Sequence, residues 1–214
     1  MNSLFLVGGP PTVGKNECCS QIGTYIRNVE VTNFWKFVRE AAKAIGTRPE
    51  IMTTSQIHRL LPTVKQNIAH LVERQTVVML TSFTHLTVTA GLNSRPDFSD
   101  RDFTTLIEDI IPTIYIHLDA RSEVIISNAD AKRRGLPLGV YRHTFNFLTP
   151  RDPQERIRLV TARRLAEAIE ARRLAKKHQV PLYELTVEPG KYFELQMAIV
   201  RLVGKHGGRS KKPI

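Results

Sequence analysis

A chain of 214 residues with 42% hydrophobic and 24% charged residues has the length and apolar content for one domain with a sizeable core. Lys and Arg number 31 against 20 Asp and Glu, a net charge of +11 that attracts polyanions such as nucleotides or RNA without choosing among them. No run of about 18 apolar residues predicts a membrane span, the N-terminus reads as a strand rather than a leader, and the adjacent Cys18 and Cys19 exclude a disulfide framework, so a cytoplasmic protein is expected.

Ser3 to Val7 is short, apolar and stopped by Gly8-Gly9-Pro10-Pro11, which predicts a buried strand. Lys15 to Arg27 predicts a helix and Val29 to Val31 a short strand. Phe34, Phe37, Val38, Ala41 and Ala42 recur at helical spacing, predicting a helix over Phe34 to Ile45 that stops at Gly46. Ser55 caps a short turn, and Pro62 opens a helix to about Glu73. Thr76 to Leu80 (TVVML) reads as a central strand.

Thr81 to Asp100 is polar and aperiodic, a long loop of the kind that is usually functional. Asp102 to Ile111 predicts a helix ended by Pro112, and Thr113 to Leu118 (TIYIHL) another strand. A helix follows from Arg121 and breaks near Arg133. Pro153 to His178 is a long basic helix, Val180 to Leu185 a last strand, and Tyr192 to Val203 a closing helix. The basic tail from Gly204 reads as disordered. Strands alternating with helices mean an α/β domain with a largely parallel sheet, whose ligands gather at the carboxyl ends of the strands.

Gly9-Pro10-Pro11-Thr12-Val13-Gly14-Lys15 fits G-x-x-x-x-G-K between a strand and a helix, the setting of a phosphate-binding loop. Glycines let successive N–H groups turn toward one phosphate, Lys15 adds a charge, and the helix start adds its dipole. Gly9 to Glu17 are therefore the expected residues for ATP or GTP, with Lys15 catalytic as well. The next position calls for a Ser or Thr hydroxyl on Mg²⁺; it is Asn16, whose amide oxygen is the candidate metal ligand.

Over nearly its whole length the chain resembles the archaeal type of adenylate kinase. That family's loop reads G-x-P-G-V-G-K-T, followed here at Gly9, Pro11, Val13, Gly14 and Lys15. The stretch from Val31-Thr-Asn-Phe to Ala42-Lys-Ala-Ile-Gly46, the run His58-Arg59-Leu60-Leu61-Pro62, and Glu188-Pro189-Gly190 near the end are also similar. The resemblance implies a P-loop nucleoside monophosphate kinase fold: a mostly parallel five-stranded sheet with helices on both faces and a lid insert. It implies one kinase-like domain over 1–204, with an acceptor-binding helical segment near 34–75, a lid near 131–152, and a tail at 205–214. It further implies ATP with Mg²⁺ as cofactors, a nucleoside monophosphate as acceptor, and often trimeric assembly. Arg59 is the matched candidate for the acceptor's phosphate; Thr81 and Ser82, with Thr84, would line its pocket. Arg133, with Arg134 or Arg142 and with Arg151 as a further candidate, would close over the transferring phosphate.

The departures bear on chemistry. The family's Asp-Thr-His after the central strand is Thr81-Ser82-Phe83 here, so the Asp of the magnesium site is missing, with Asp119 or Asp130 as candidate substitutes. Its pair of arginines on the helix after Asp119 is Ile126 and Ser127. These differences keep open a kinase with another acceptor, such as a nucleic-acid end or a metabolite, and a nucleotide-binding module on RNA or the ribosome. The helix from Arg156 to Lys177 and the basic tail are the surface that would meet RNA; its few acids, Glu155, Glu167 and Glu170, read as partners on a solvated face.

Overall fold

Strands at Val29–Asn33, Thr76–Leu80, Leu4–Gly8, Ile114–Asp119 and Leu182–Thr186 lie side by side in that order, all parallel. The computed structural model describes residues 2–52, 54–83, 110–133, 152–207 and 209–210. Its strands are β1 (Leu4–Gly8), β2 (Ile26–Arg27), β3 (Val29–Asn33), β4 (Thr76–Leu80), β5 (Ile114–Asp119), β6 (Leu182–Thr186) and β7 (Arg209–Ser210). Its helices are α1 (Lys15–Cys19), α2 (Ile22–Tyr25), α3 (Phe34–Ala44), α4 (Thr54–Arg74), α5 (Ser122–Arg133), α6 (Pro153–His178) and α7 (Tyr192–His206). The α/β class and the five-stranded parallel sheet agree with the expectation.

Period-two alternation divides the strands between two cores. Phe5, Val7, Val78, Ile114, Ile116 and Leu118 face Cys18, Cys19, Ile22, Ile125, Leu195 and Ile199 on one side. Leu4, Leu6, Val77, Met79 and Tyr115 face Phe34, Phe37, Leu60, Val64, Ile68, Ala171 and Leu174 on the other. Strands buried on both faces are why β1, β4 and β5 read as continuous apolar runs. Each fully buried aliphatic side chain here contributes about 1.5–3 kcal/mol of transfer free energy. Cys18 and Cys19 are buried and free, and desolvation pushes the Cys18 thiol up to about 12, which leaves it inert.

Three boundaries differ from expectation. The stretch Lys15 to Arg27 is two short helices followed by strand β2, because Ile26 and Arg27 pair antiparallel with Ser210 and Arg209. The same pairing corrects the tail: α7 continues through Gly204 to His206, and Arg209–Ser210 is strand rather than disorder, while 211–214 lie outside the described residues. Pro62 stands inside α4 rather than at its start. The lost N–H and ring clash cost about 3 kcal/mol in a free helix, and burial of Leu60, Val64 and Ile68 along one face offsets them. Of the helix expected over Asp102 to Ile111, residues 102–109 lie outside the described residues and Ile110 and Ile111 are not helical; of the lid expected near 131–152, residues 134–151 lie outside them. Among the described residues, no helix is long and apolar enough to cross a membrane.

α6 fixes the geometry of the sheet's carboxyl edge. Asp152 caps its start, accepting from Gln154 N at 3.1 Å and Glu155 N at 3.3 Å, with Pro153 at the first helical position. Gln179, in a left-handed conformation at φ 56°, ends it. Between those ends its arginines are bound to carboxylates: Arg156 to Asp130, Arg158 to Glu155, Arg163 to Glu167, Arg164 to Asp119, Arg172 to Glu184 and Arg173 to Glu170. Glu167 and Glu170 are buried, which corrects the reading of them as partners on a solvated face.

Candidate functional site

Gly8 and Gly9 end β1 beneath two neighbouring strand ends. A Cβ on Gly8 would enter the Phe83 ring just beyond β4, and one on Gly9, at φ 145°, would collide with the Leu118 carbonyl of β5. Only glycine fits so close an approach. Thr81 N donates to Val7 O at 2.9 Å, which carries the β1–β4 register of Val7 with Leu80 to the strand end. The Gly-rich loop, the end of β4 and the turn after Leu118 thus share one edge, as the alternation of elements predicted.

The loop is pinned from α5. Thr12 adopts φ 61°, a left-handed conformation that strains a β-branched residue by about 1–3 kcal/mol. Its hydroxyl donates to Ile125 O at 2.9 Å, and Asn128 Nδ2 donates to Thr12 O at 3.0 Å. Val13 is fully buried in the core. Thr12 and Val13 therefore shape the loop by anchoring it, and any ligand contact they make is through the backbone. Gly14, also left-handed, precedes α1, whose first turn has no side-chain cap, so its leading N–H groups are not claimed by a cap. Val187 and Tyr192 lie against Gly14 on the opposite side. Asn16 and Glu17 are exposed, and Glu17 pairs with Lys132 at 3.3 Å.

Lys15 folds back over the loop, its Nζ donating to Gly9 O at 2.6 Å and Pro10 O at 2.9 Å. Burial lowers its pKa to about 8; the charge of Glu167 opposes the drop, while those of Arg163 and Lys132 deepen it. At neutral pH Lys15 is still mainly an ammonium, in an environment that favours an incoming anion.

The carboxylate that opposes the drop, Glu167, is the residue that sequence reasoning missed. Glu167 is fully buried, with Oε2 accepting from Phe83 N at 2.7 Å and Oε1 from the Ser82 hydroxyl. It holds the β4 strand end from α6. Arg163, one turn earlier, pairs with it at 3.8 Å, and burial pulls the guanidinium's pKa down while Glu167 resists. Arg163 Nε is buried with no hydrogen-bond partner among the described residues. His117 lies below with its ring centroid 6.2 Å from that of Phe83, and burial holds its pKa below the ordinary histidine range. The signal for Glu167 was available only as spacing: Glu167, Glu170, Ala171 and Leu174 fall on one helical face.

The two carboxylates considered as substitutes are committed elsewhere. Asp119 takes a bidentate pair from Arg164, Nε to Oδ1 at 2.8 Å and Nη2 to Oδ2 at 2.8 Å. Asp130 accepts from Arg156 at 2.8 Å. Ile126 and Ser127 line a cavity of about 440 Å³ between α5 and α6, with Arg156 on its far wall. Cations reach the loop from both helices, through Lys132 of α5 and Arg163 of α6.

Thr81 and Ser82 are buried at the end of β4, beside the strand that leads into the loop of Lys15. Arg59 stands exposed on α4, and no contact joins it to Lys15 among the described residues. Arg133 ends α5, but its side chain lies outside the described residues, as do Thr84, Arg134, Arg142 and Arg151.

No family model matches the chain, and no curated protein matches it in sequence. Solved structures do match in fold. Thymidylate kinase from Candida albicans is 11% identical with a TM-score of 0.55, covering 99% of this chain and 98% of that one. Shikimate kinase from Acinetobacter baumannii, solved with shikimate, is 14% identical with a TM-score of 0.53, covering 96% and 94%. The tunicamycin resistance protein of Deinococcus radiodurans is 13% identical with a TM-score of 0.56, covering both chains in full. The chain has the fold of the P-loop kinases; an adenylate kinase in particular is not singled out.

Proposed function

We propose that this protein is an ATP-dependent phosphotransferase that moves the γ-phosphate to a nucleoside monophosphate, with AMP the first acceptor to test. The observation that carries the reading is Lys15. It is a half-buried ammonium inside a loop pinned by Thr12, at the carboxyl end of β1, with a second cation, Arg163, acting on the same point. Phosphoryl transfer needs little covalent chemistry from the protein; it needs cations held where charge accumulates. In the reaction the bond from the γ-phosphorus to the β–γ bridging oxygen breaks, and a bond to an acceptor phosphate oxygen forms, giving ADP and a nucleoside diphosphate.

Lys15 exchanges its two carbonyl partners for phosphate oxygens, and the loop N–H groups, set by Gly9 and Gly14, hold the β-phosphate. Arg163, and Arg133 with Arg134 and Arg142 from the lid region, neutralise the transferring group. Arg59 holds the acceptor's phosphate. Mg²⁺ bound with the triphosphate would supply charge neutralisation between the β- and γ-phosphates. The donors at the strand ends suit such a hard cation, since the Ser82 hydroxyl and the Glu167 carboxylate meet there. Asn16 is exposed, and its amide is the weaker candidate.

A second reading takes a different acceptor, such as a hydroxyl compound of the kind shikimate kinase uses. The presence of Ile126 and Ser127, where the resemblance calls for arginines, favours it. A coupled assay for ADP with ATP or GTP, Mg²⁺ and a panel of monophosphates and hydroxyl acceptors decides. Rapid ADP formation with a monophosphate supports the first reading. ATP binding with no transfer to any monophosphate overturns it.

A further inference from the structure

The end of β4 has no acid of its own, since Thr81, Ser82 and Phe83 follow Leu80, yet a carboxylate is there. Resting on the kinase reading above and deepening it, we propose that Glu167 is the acid of the magnesium site, delivered by α6 instead of by the strand. The position supports it: Glu167 is held by the two residues next to Thr81, and Phe83 in turn packs on Gly8 at the root of the phosphate loop. A strand-end acid and Glu167 would act on the same place from different sides.

Charge supports it as well. Burying a carboxylate is costly unless cations face it. If the only task were to tie Phe83 N and the Ser82 hydroxyl to α6, a glutamine would do so without that cost. Glu167 instead faces Arg163 at 3.8 Å, an ion pair too long for a hydrogen bond, and its charge also bears on Lys15. Two cations around one acid suit a ligand that brings both signs. Triphosphate oxygens would satisfy Lys15 and the buried Arg163 Nε, and a divalent cation would take up the acid that they release. Among the described residues, three further carboxylates near the loop hold cations of their own: Asp119 with Arg164, Asp130 with Arg156 and Glu17 with Lys132. One helix thus supplies both the acid and a cation to the phosphates.

The test compares ATP affinity by calorimetry in excess Mg²⁺ and in EDTA for the wild type, Glu167→Gln and Glu170→Gln, with melting curves for each. Glu167→Gln preserves shape and an acceptor for Phe83 N–H but removes the charge. It is expected to bind ATP in EDTA within about threefold of wild type and to lose at least about tenfold of the gain given by Mg²⁺. Glu170→Gln removes a neighbouring buried charge of α6 that pairs with Arg173 and lies outside the site, and so keeps the Mg²⁺ gain, whatever it loses in stability. An undiminished gain in Glu167→Gln overturns the assignment, as does an equal loss in Glu170→Gln, which would make the effect one of the stability of α6 rather than of a ligand. A wild type that binds no ATP in either condition overturns the kinase reading itself, and the assignment with it.

Discussion

Replacing Lys15 by Met is expected to make the protein more stable and inactive at once. Burial takes the lysine's pKa from 10.5 to about 8. At about 1.4 kcal/mol for each tenfold change in proton affinity, keeping the ammonium charged in the fold costs about 3 kcal/mol. Its partial exposure and the two hydrogen bonds to Gly9 O and Pro10 O reduce the gain from removing it to about 1–2 kcal/mol. For a chain of this size that is a rise of about 2–8 °C in Tm at pH 7. The sign with pH follows from proton counting. Between about 8 and 10.5 the unfolded wild type binds the proton that the folded protein has released, so wild-type stability rises with pH there. The advantage of Lys15→Met must therefore shrink from pH 7 to pH 10. Urea unfolding of both proteins at the two pH values measures it, and calorimetry should show ATP affinity down at least about tenfold. A Met variant no more stable than wild type at pH 7, or a gap that does not change with pH, refutes the reasoning.

Arg164→Met removes the bidentate partner of Asp119, with an expected loss of about 1–2 kcal/mol after screening. Burial pushes the Asp119 carboxyl up, but Arg164 outweighs it and holds the pKa below the usual 3.8. The stabilisation is therefore present at neutral pH and lost as pH falls through the lowered value, so wild type and variant should converge in acid unfolding. Thr12→Ala keeps the left-handed strain and gives up the bond to Ile125 O; it should cost about 1–2 kcal/mol in urea unfolding and weaken ATP binding with it. Arg59→Ala should raise the acceptor KM at least about tenfold while leaving that for ATP unchanged; an effect on ATP alone would remove Arg59 from the acceptor site.

The sheet was legible because β1, β4 and β5 are buried on both faces, and a continuous apolar run between turn residues is too short for a core helix and too apolar for a surface loop. The loop was legible because its pattern is local and its context, strand before and helix after, is adjacent in sequence. The misreadings share a cause. Ile26 and Arg27 become strand only because Arg209 and Ser210 come to them from the far end of the chain, and Pro62 remains in a helix only because Leu60, Val64 and Ile68 are buried around it. Tertiary partners settle both, and no window of sequence contains them.

Glu167 is the sharper case. An acid at i+4 from an arginine on a basic helix has the pattern of a solvated pair, and that pattern is identical whether the helix faces water or a strand end. What distinguishes the cases is which side of α6 meets the sheet. Val160, Glu167, Ala171 and Leu174 are all fully buried, so the inward face of α6 carries an acid in a row of apolar residues. An ionised group in such a row has a partner of its own or a ligand. The same reasoning reverses the expectation for Asp119 and Asp130, which are free acids in the sequence and hold arginines in the fold. The acid absent from the end of β4 is thus to be sought by burial rather than by alignment with a motif, and α6 is where burial places it.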